Sequence, residues 1–128
     1  MAAALSLVHW DSTRRKVKRI YKVTLSGSYT ALGDVLDFTA ATATGFPNVS
    51  PAPGYGAGVT NADFIVHNPG GVGYLFRVEK GTTFANWKFR IFQSDDAVDP
   101  LDEISGSIPS DLTGDANIFI ELILPNGY

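Results

Sequence analysis

The stretch VKRIYKVTLS, residues 17–26, alternates apolar and polar side chains along most of its length. One parity carries Tyr21, Val23 and Leu25, while the other is mostly polar and is interrupted by Ile20. Successive side chains of a β-strand point to opposite faces of a sheet. The stretch therefore predicts a strand that buries one face in a core.

Short runs of the same character recur along the chain between 13 glycines and 7 prolines. Branched and aromatic runs punctuated in this way are typical of strands and turns. Strands are predicted at residues 17–26, 34–39, 63–67, 72–78, 84–92 and 118–124, with residues 5–10 as an edge strand or an arm. About seven strands at this spacing indicate an all-β domain, which could be a sandwich, a jelly roll or a barrel.

Two of these runs carry further detail. Residues 118–124, IFIELIL, are almost all apolar and predict a central strand covered on both sides. In residues 84–92 the side chains of Trp87, Phe89 and Ile91 share one parity and are predicted to point into the core. The sequence EKG at residues 79–81 predicts a hairpin turn before that strand.

The chain has 128 residues and no cysteine, which fits one domain and excludes disulfides and thiolate metal sites. Residues 1–30 carry six basic side chains against one acidic, and the remainder carries four against twelve. This asymmetry suggests two faces with different partners. No apolar run approaches the ~20 residues of a membrane span, and the basic run follows the apolar start, the reverse of a secretory signal. We expect a soluble protein, made in the cytoplasm, that binds no membrane.

Residues 38–62 contain no charged side chain and are rich in glycine, proline, alanine and threonine. Unstructured loops beyond ~12–15 residues are uncommon in compact domains and are often binding loops. Two interpretations stay open: the loop lies on another protein, or it packs on its own domain. Residues 1–15 are predicted as an N-terminal arm before a single domain at 16–128. The candidate partner-contacting residues are Leu5, Leu7, Trp10, Arg14, Arg15, Lys16, Phe46, Val49 and Tyr55.

The sequence offers little for catalysis or cofactor binding. Only His9 and His67 could act as a general base near neutral pH. Asp63 shares the strand parity of His67, but four residues of strand separate the two by roughly 13 Å. Motifs for a serine nucleophile or a phosphate loop are missing. We therefore predict a protein that is not an enzyme and has no catalytic residue, cofactor or metal site.

Two clusters of charged residues in the sequence allow more than one interpretation. Five acidic residues predict a solvated loop, although a calcium site or a contact with a basic neighbour is also considered, and their spacing does not match an EF-hand. They are Asp95, Asp96, Asp99, Asp102 and Glu103. The basic run RRKVKR, residues 14–19, distributes its charges over both strand parities, which disfavours nucleic-acid binding. It favours an acidic partner, or the chain's own acidic part across a subunit boundary.

Four segments together resemble a known family. They are YKVTLSGSYTALGDVLDFT at 21–39, GYLFRVEK at 73–80, WKFRIFQSD at 87–95 and LTGDANIFIELIL at 112–124. The pattern is similar to that of small virion proteins of tailed bacteriophages that serve as capsid decoration, or cement, proteins. The similarity extends loosely over residues 16–128, and no fixed motif covers residues 40–62.

The resemblance implies a jelly-roll-like β-sandwich of about seven to eight strands, commonly a homotrimer, on the outer surface of the capsid. The implied partners are the major capsid protein and further copies of the chain, without nucleic acid or membrane. The implied function is that of a non-enzymatic virion structural protein made in the host cytoplasm. Two alternatives remain: a tail or fibre component, and a host- or carbohydrate-binding sandwich that uses Trp10, Tyr55 or Trp87.

Overall fold

A computed structural model describes residues 3–12, 16–40, 62–67, 73–93, 102–115 and 117–125 of the chain. These residues form two antiparallel sheets, one 3₁₀ helix and one single-turn α-helix, which confirms the predicted all-β class. The strands are β1 (Ala3–Ser12), β2 (Lys16–Leu25), β3 (Asp34–Leu36), β4 (Asp63–His67), β5 (Tyr74–Glu79), β6 (Trp87–Gln93), β7 (Asp102–Glu103) and β8 (Phe119–Pro125). The 3₁₀ helix is Phe38–Ala40, and α1 is Ser110–Thr113.

The first sheet has the order β1-β2-β8-β4, so the apolar strand β8 is central, as predicted. In the second sheet β6 has β5 on one side, while β3 and β7 pair with two different parts of its other side. The second face of β8 is only partly covered, because Phe119 and Ile123 are half-buried. No helix in the described ranges is both long and apolar enough to cross a membrane.

The core lies between the two sheets and is built by strand alternation. Tyr21, Val23 and Leu25 of β2 are buried, as are Trp87, Phe89 and Ile91 of β6, in agreement with the predicted faces. The centroid of the Trp87 ring lies 5.2 Å from that of Phe38 and 5.4 Å from that of Phe64 in the first sheet, and both pairs are edge-to-face. Edge-to-face aromatic pairs of this kind add stabilisation beyond the area that they bury.

Of the two alternatives predicted for the N-terminal segment, an edge strand or an arm, the structure shows the edge strand, which covers residues 3–12. β1 pairs antiparallel with β2, from Ala3 opposite Leu25 to Ser12 opposite Val17. Its alternate side chains Leu5 and Leu7 are buried in the core. The apolar spacing of this segment is therefore satisfied within the chain, so the arm boundary at residue 15 does not describe β1.

Local side-chain hydrogen bonds shift two strand ends from their predicted positions. The strand predicted at 34–39 ends at Leu36, because Asp37 accepts the backbone N–H groups of Thr39 and Ala40 and starts the 3₁₀ helix. The strand predicted at 84–92 begins only at Trp87. Before it, Asn86 accepts the N–H of Thr83, so residues 80–86 form a longer connection than the predicted EKG turn.

A glycine is required at the start of β3. Gly33 has a φ of +112°, and a Cβ placed on it would lie 3.0 Å from Cγ of Arg90 and 3.1 Å from Cβ of Lys88. The next residue, Asp34, is buried and accepts the backbone N–H of Thr30. The Gly-Asp pair in the quoted motif thus has a local physical reason, a tight turn that brings β3 against β6.

Candidate interaction surface

The first sheet has one face in the core and one face away from it, which we call the outer face. Three rows of outer-face side chains cross all four strands, about 7 Å apart along the strands. The rows are Ser6, Lys22, Phe119 and His67; His9, Ile20, Glu121 and Ile65; and Asp11, Lys18, Ile123 and Asp63.

Glu121 lies at the centre of the outer face and is only 6% exposed. Its carboxylate is 3.0 Å from Nζ of Lys18 and 2.9 Å from Nε2 of His67, each on a neighbouring strand. The hydrogen bond from His67, followed by the one from Lys18, outweighs burial and lowers the pKa of Glu121 below its ordinary value. The central acid of this face is therefore neutralised from both sides.

A groove crosses the outer face beside this triad. It has a volume of about 380 Å³ and is lined by Val8, His9, Ile20, His67 and Phe119. A register shift between Leu7 and His9 marks a β-bulge in β1, and Val8 within it is 42% exposed. Bulges re-aim side chains at sheet edges, and this one contributes an aliphatic wall.

The groove is mainly apolar, and the charges nearest to it are positive or neutralised. Lys22 occupies the same row as Phe119 and His67. Among the residues that the structure describes, no acidic group lies within ion-pair distance of Lys22. Asp11 and Asp63 belong to the third row, outside the groove lining.

A second polar cluster ties the second sheet together. The hydroxyl of Tyr29 donates to Glu103 at 2.6 Å and accepts the backbone N–H of Ile91 at 3.2 Å. Arg90 donates to the same carboxylate at 2.7 Å. The Ile91 N–H lies between the parts of β6 that pair with β3 and β7, so the tyrosine replaces a strand partner there.

The ionisation of this cluster follows from its contacts. Burial, followed by the hydrogen bond to Glu103, raises the pKa of Tyr29 to about 12. Burial alone would raise the pKa of Glu103, but the hydrogen bonds from Tyr29 and Arg90 together hold it below its ordinary value. Glu103 therefore belongs to a structural network rather than to the predicted solvated loop, and residues 94–101 lie outside the described residues.

The predicted contact residues have different positions. Leu5 and Leu7 pack in the chain's own core, whereas Trp10 is 40% exposed near the end of β1. Lys16 is the first residue of β2. The remaining ones, Arg14, Arg15, Phe46, Val49 and Tyr55, lie outside the described residues.

Sequence reasoning missed the pairing of His67 with Glu121, because the two residues are 54 positions apart and meet only through the register of β4 and β8. A signal was available: Glu121 is the one charged residue in IFIELIL. A charge in the middle of a central strand indicates that neighbouring strands supply its partners.

The lining of this groove is apolar apart from two imidazoles. A carboxylate can orient an imidazole as a general base, but the groove lining beside His67 contains no hydroxyl or thiol side chain. Within the described segments, no group of three or more His, Cys, Asp or Glu residues could hold a metal ion. The exposed apolar side chains instead suit a protein surface that packs against this face.

Comparison with protein families, curated proteins and solved structures finds no match to this chain. The resemblance to phage virion proteins therefore stands on the four quoted segments alone. Any functional conclusion has to come from those segments and from the outer face.

Proposed function

We propose that this chain is a non-enzymatic virion structural protein, a capsid decoration protein that binds the outer surface of the major capsid shell and stabilises it. The quoted segments support the phage assignment, and the all-β sandwich agrees with the fold that they imply. In this proposal the partners are the major capsid protein and further copies of the chain as a homotrimer. Neither nucleic acid nor membrane takes part.

The observation that carries the proposal is the pairing of Glu121 at the centre of a partly exposed apolar face. Ile65, beside it, is 47% exposed and Val8 is 42% exposed. Covering such a face with a partner removes apolar area from water, which is favourable. An unpaired carboxylate there would oppose coverage strongly, but Lys18 and His67 already compensate Glu121. The centre of the face can therefore be covered without leaving the Glu121 carboxylate unpaired.

A decoration protein needs only moderate affinity at each site. Identical contacts repeat over a symmetric shell, and contacts made by linked copies reinforce one another. A rigid sandwich with one apolar face suits this task, because little conformational entropy is lost when a preformed sheet docks.

The test uses capsids of the phage that encodes the chain, stripped of this protein and mixed with purified variants. Ile65→Glu places a charge on the outer face, whereas Leu75→Glu does so on β5 at a site that is 42% exposed. Ile65→Glu is expected to reduce co-sedimentation with capsids at least tenfold, and Leu75→Glu should bind like the wild type. Equal binding by both variants, or binding of the wild type to tails alone, would contradict the proposal.

A specific observation favours one alternative. Trp10 is exposed at the edge of the first sheet, where an aromatic ring could stack on a sugar. Trp87, by contrast, is fully buried in the core and cannot serve as a platform. Binding of the free protein to glycans, lost in Trp10→Ala and kept in Ile65→Glu, would support a host- or carbohydrate-binding role instead.

A further inference from the structure

We infer that the groove on the outer face binds an acidic peptide segment that carries a large apolar anchor residue. This inference deepens the proposed function by naming the chemistry of the partner, and it rests on that function for the source of the segment, the capsid shell. The binding chemistry itself follows from the groove and can be tested without a capsid.

The anchor residue follows from the size and lining of the groove. Its volume of about 380 Å³ is near the lower end of the ~300–1,000 Å³ range of ligand pockets. Val8, Ile20 and Phe119 provide three apolar walls. A leucine or phenylalanine side chain of a partner would pack on a largely apolar surface there, and the apolar area removed from water would contribute most of the affinity that such a site can offer.

The acidic character of the segment follows from the charges around the groove. His9 lines it, and its imidazole can donate a hydrogen bond to a carboxylate, whereas Nε2 of His67 already donates to Glu121. Lys22 adds an ammonium group in the row of Phe119 and His67. Glu121 does not compete, because its oxygens already accept from Lys18 and His67.

Lysine-rich segments fit this groove poorly. A second ammonium group near Lys22 would meet like charge, and no carboxylate in the groove lining would attract it. Charge complementarity of this kind sets specificity and binding rate more than affinity. We therefore expect modest affinity with clear discrimination by charge.

The experiment titrates the isotopically labelled full chain with short capped peptides and follows backbone amide signals by NMR. The probe is acetyl-Glu-Asp-Leu-Phe-Asp-Glu-amide. One control replaces its acids by Gln and Asn, a second replaces them by Lys, and a third replaces Leu and Phe by Ser. The acidic apolar probe should shift the signals of Val8, Ile20 and Phe119, and each control should bind at least threefold more weakly.

Two matched variants test whether Lys22 is the source of the preference for acidic peptides. Lys22→Gln should weaken binding of the acidic probe at least threefold and leave the Gln/Asn peptide unchanged. Lys88→Gln, at a half-buried lysine of β6, should change neither. Should Lys22→Gln disturb the fold, the salt dependence of the wild type replaces it, because added salt screens exposed charge pairs. Binding of the acidic probe should then weaken on raising NaCl from about 0.05 M to about 0.5 M.

Several outcomes would overturn the inference. One is binding of the lysine peptide as tight as that of the acidic probe, and another is the absence of shifts in the groove signals when the acidic probe is added. A third is self-association of the free chain that Ile65→Glu abolishes, because a second copy of the chain would then occupy the face. Capsid binding kept by Lys22→Gln would also overturn it while the proposed function stands. Loss of capsid binding in that variant, with peptide binding weakened in parallel, supports both.

Discussion

At the scale of single residues, Glu121 is a paired charge at the centre of a largely apolar face. Its pKa is lowered by the hydrogen bonds from His67 and Lys18, so folding favours the charged form. A carboxyl group with a depressed pKa stabilises the fold above its unfolded pKa and loses this contribution as the pH falls through its folded pKa. The stabilisation is thus complete at neutral pH and decreases progressively as the pH falls below the ordinary value of 4.5 towards the lowered folded pKa.

We expect Glu121→Gln to lower the free energy of unfolding by about 1 kcal/mol at pH 7, since both partners are half-exposed and screened by water. Urea unfolding at pH 7 and at about pH 3 checks this, and the difference from the wild type should be smaller in acid. Glu79→Gln is the matched control, because Glu79 is more exposed and its ion pairs are 3.6 and 3.7 Å long. A pH-independent effect of Glu121→Gln would contradict the account.

Tyr29 has a structural role at the same scale. Tyr29→Phe removes the donor to Glu103 and leaves the N–H of Ile91 without its partner. The expected loss is about 1–3 kcal/mol in the free energy of unfolding at neutral pH, measured by urea denaturation. Tyr74→Phe should have little effect, because no described residue bonds to that hydroxyl.

The raised pKa of Tyr29 predicts how the stability of the fold changes at alkaline pH. Its pKa is raised from 10.0 to about 12 in the folded protein, so its contribution is complete below pH 10 and is lost as the pH rises towards 12. The stability gap between wild type and Tyr29→Phe should narrow over that interval. A gap that stays constant up to pH 12 would show that Tyr29 ionises normally.

At the scale of elements, the two sequence-based predictions for β1, an arm or an edge strand, imply different effects of mutation. A free arm would tolerate truncation of its apolar side chains, whereas a strand in the core would not. We expect Leu7→Ala to destabilise the fold by about 2–4 kcal/mol, since Leu7 is 5% exposed. Val8→Ala, one residue along and 42% exposed, should change stability by less than about 0.5 kcal/mol. Similar small effects for both variants would favour the arm.

The elements also show what alternation can predict. The period of two in residues 17–26 and 84–92 gave the buried faces of β2 and β6, because burial follows side-chain parity directly. Strand ends were less predictable, since Asp37 and Asn86 end or delay strands through hydrogen bonds to the backbone. The two-residue strand β7 escaped prediction because its pairing with β6 depends on the whole fold.

The candidate surface lay largely beyond sequence reasoning for a related reason. Each outer-face row combines residues from four strands that are distant in the chain, so it exists only once strand order and register are known. The sequence identified Lys18 and His67 as polar positions and IFIELIL as a central strand. It did not connect them, because parity within one strand carries no information about the neighbouring strand.

At the scale of the whole molecule, most of the basic residues near the start of the chain come to lie on one strand of the first sheet. β2 carries Lys16, Lys18, Arg19 and Lys22, four of the six basic residues of the first 30 positions, and it lies in the first sheet. Much of the acidic remainder follows later in the chain. Asp11, Asp63 and Glu121 lie in the same sheet, so the other strands of this sheet largely balance the basic charge of β2.

The central claim is that this chain acts through the outer face of its first sheet, on the surface of a capsid. Electron cryomicroscopy of phage particles that carry the protein tests it most directly. We expect density for the two-sheet sandwich on the outside of the shell, with the β1-β2-β8-β4 face against the major capsid protein. Density confined to the tail, or a sandwich that contacts the shell only through β5 and β6, would contradict it.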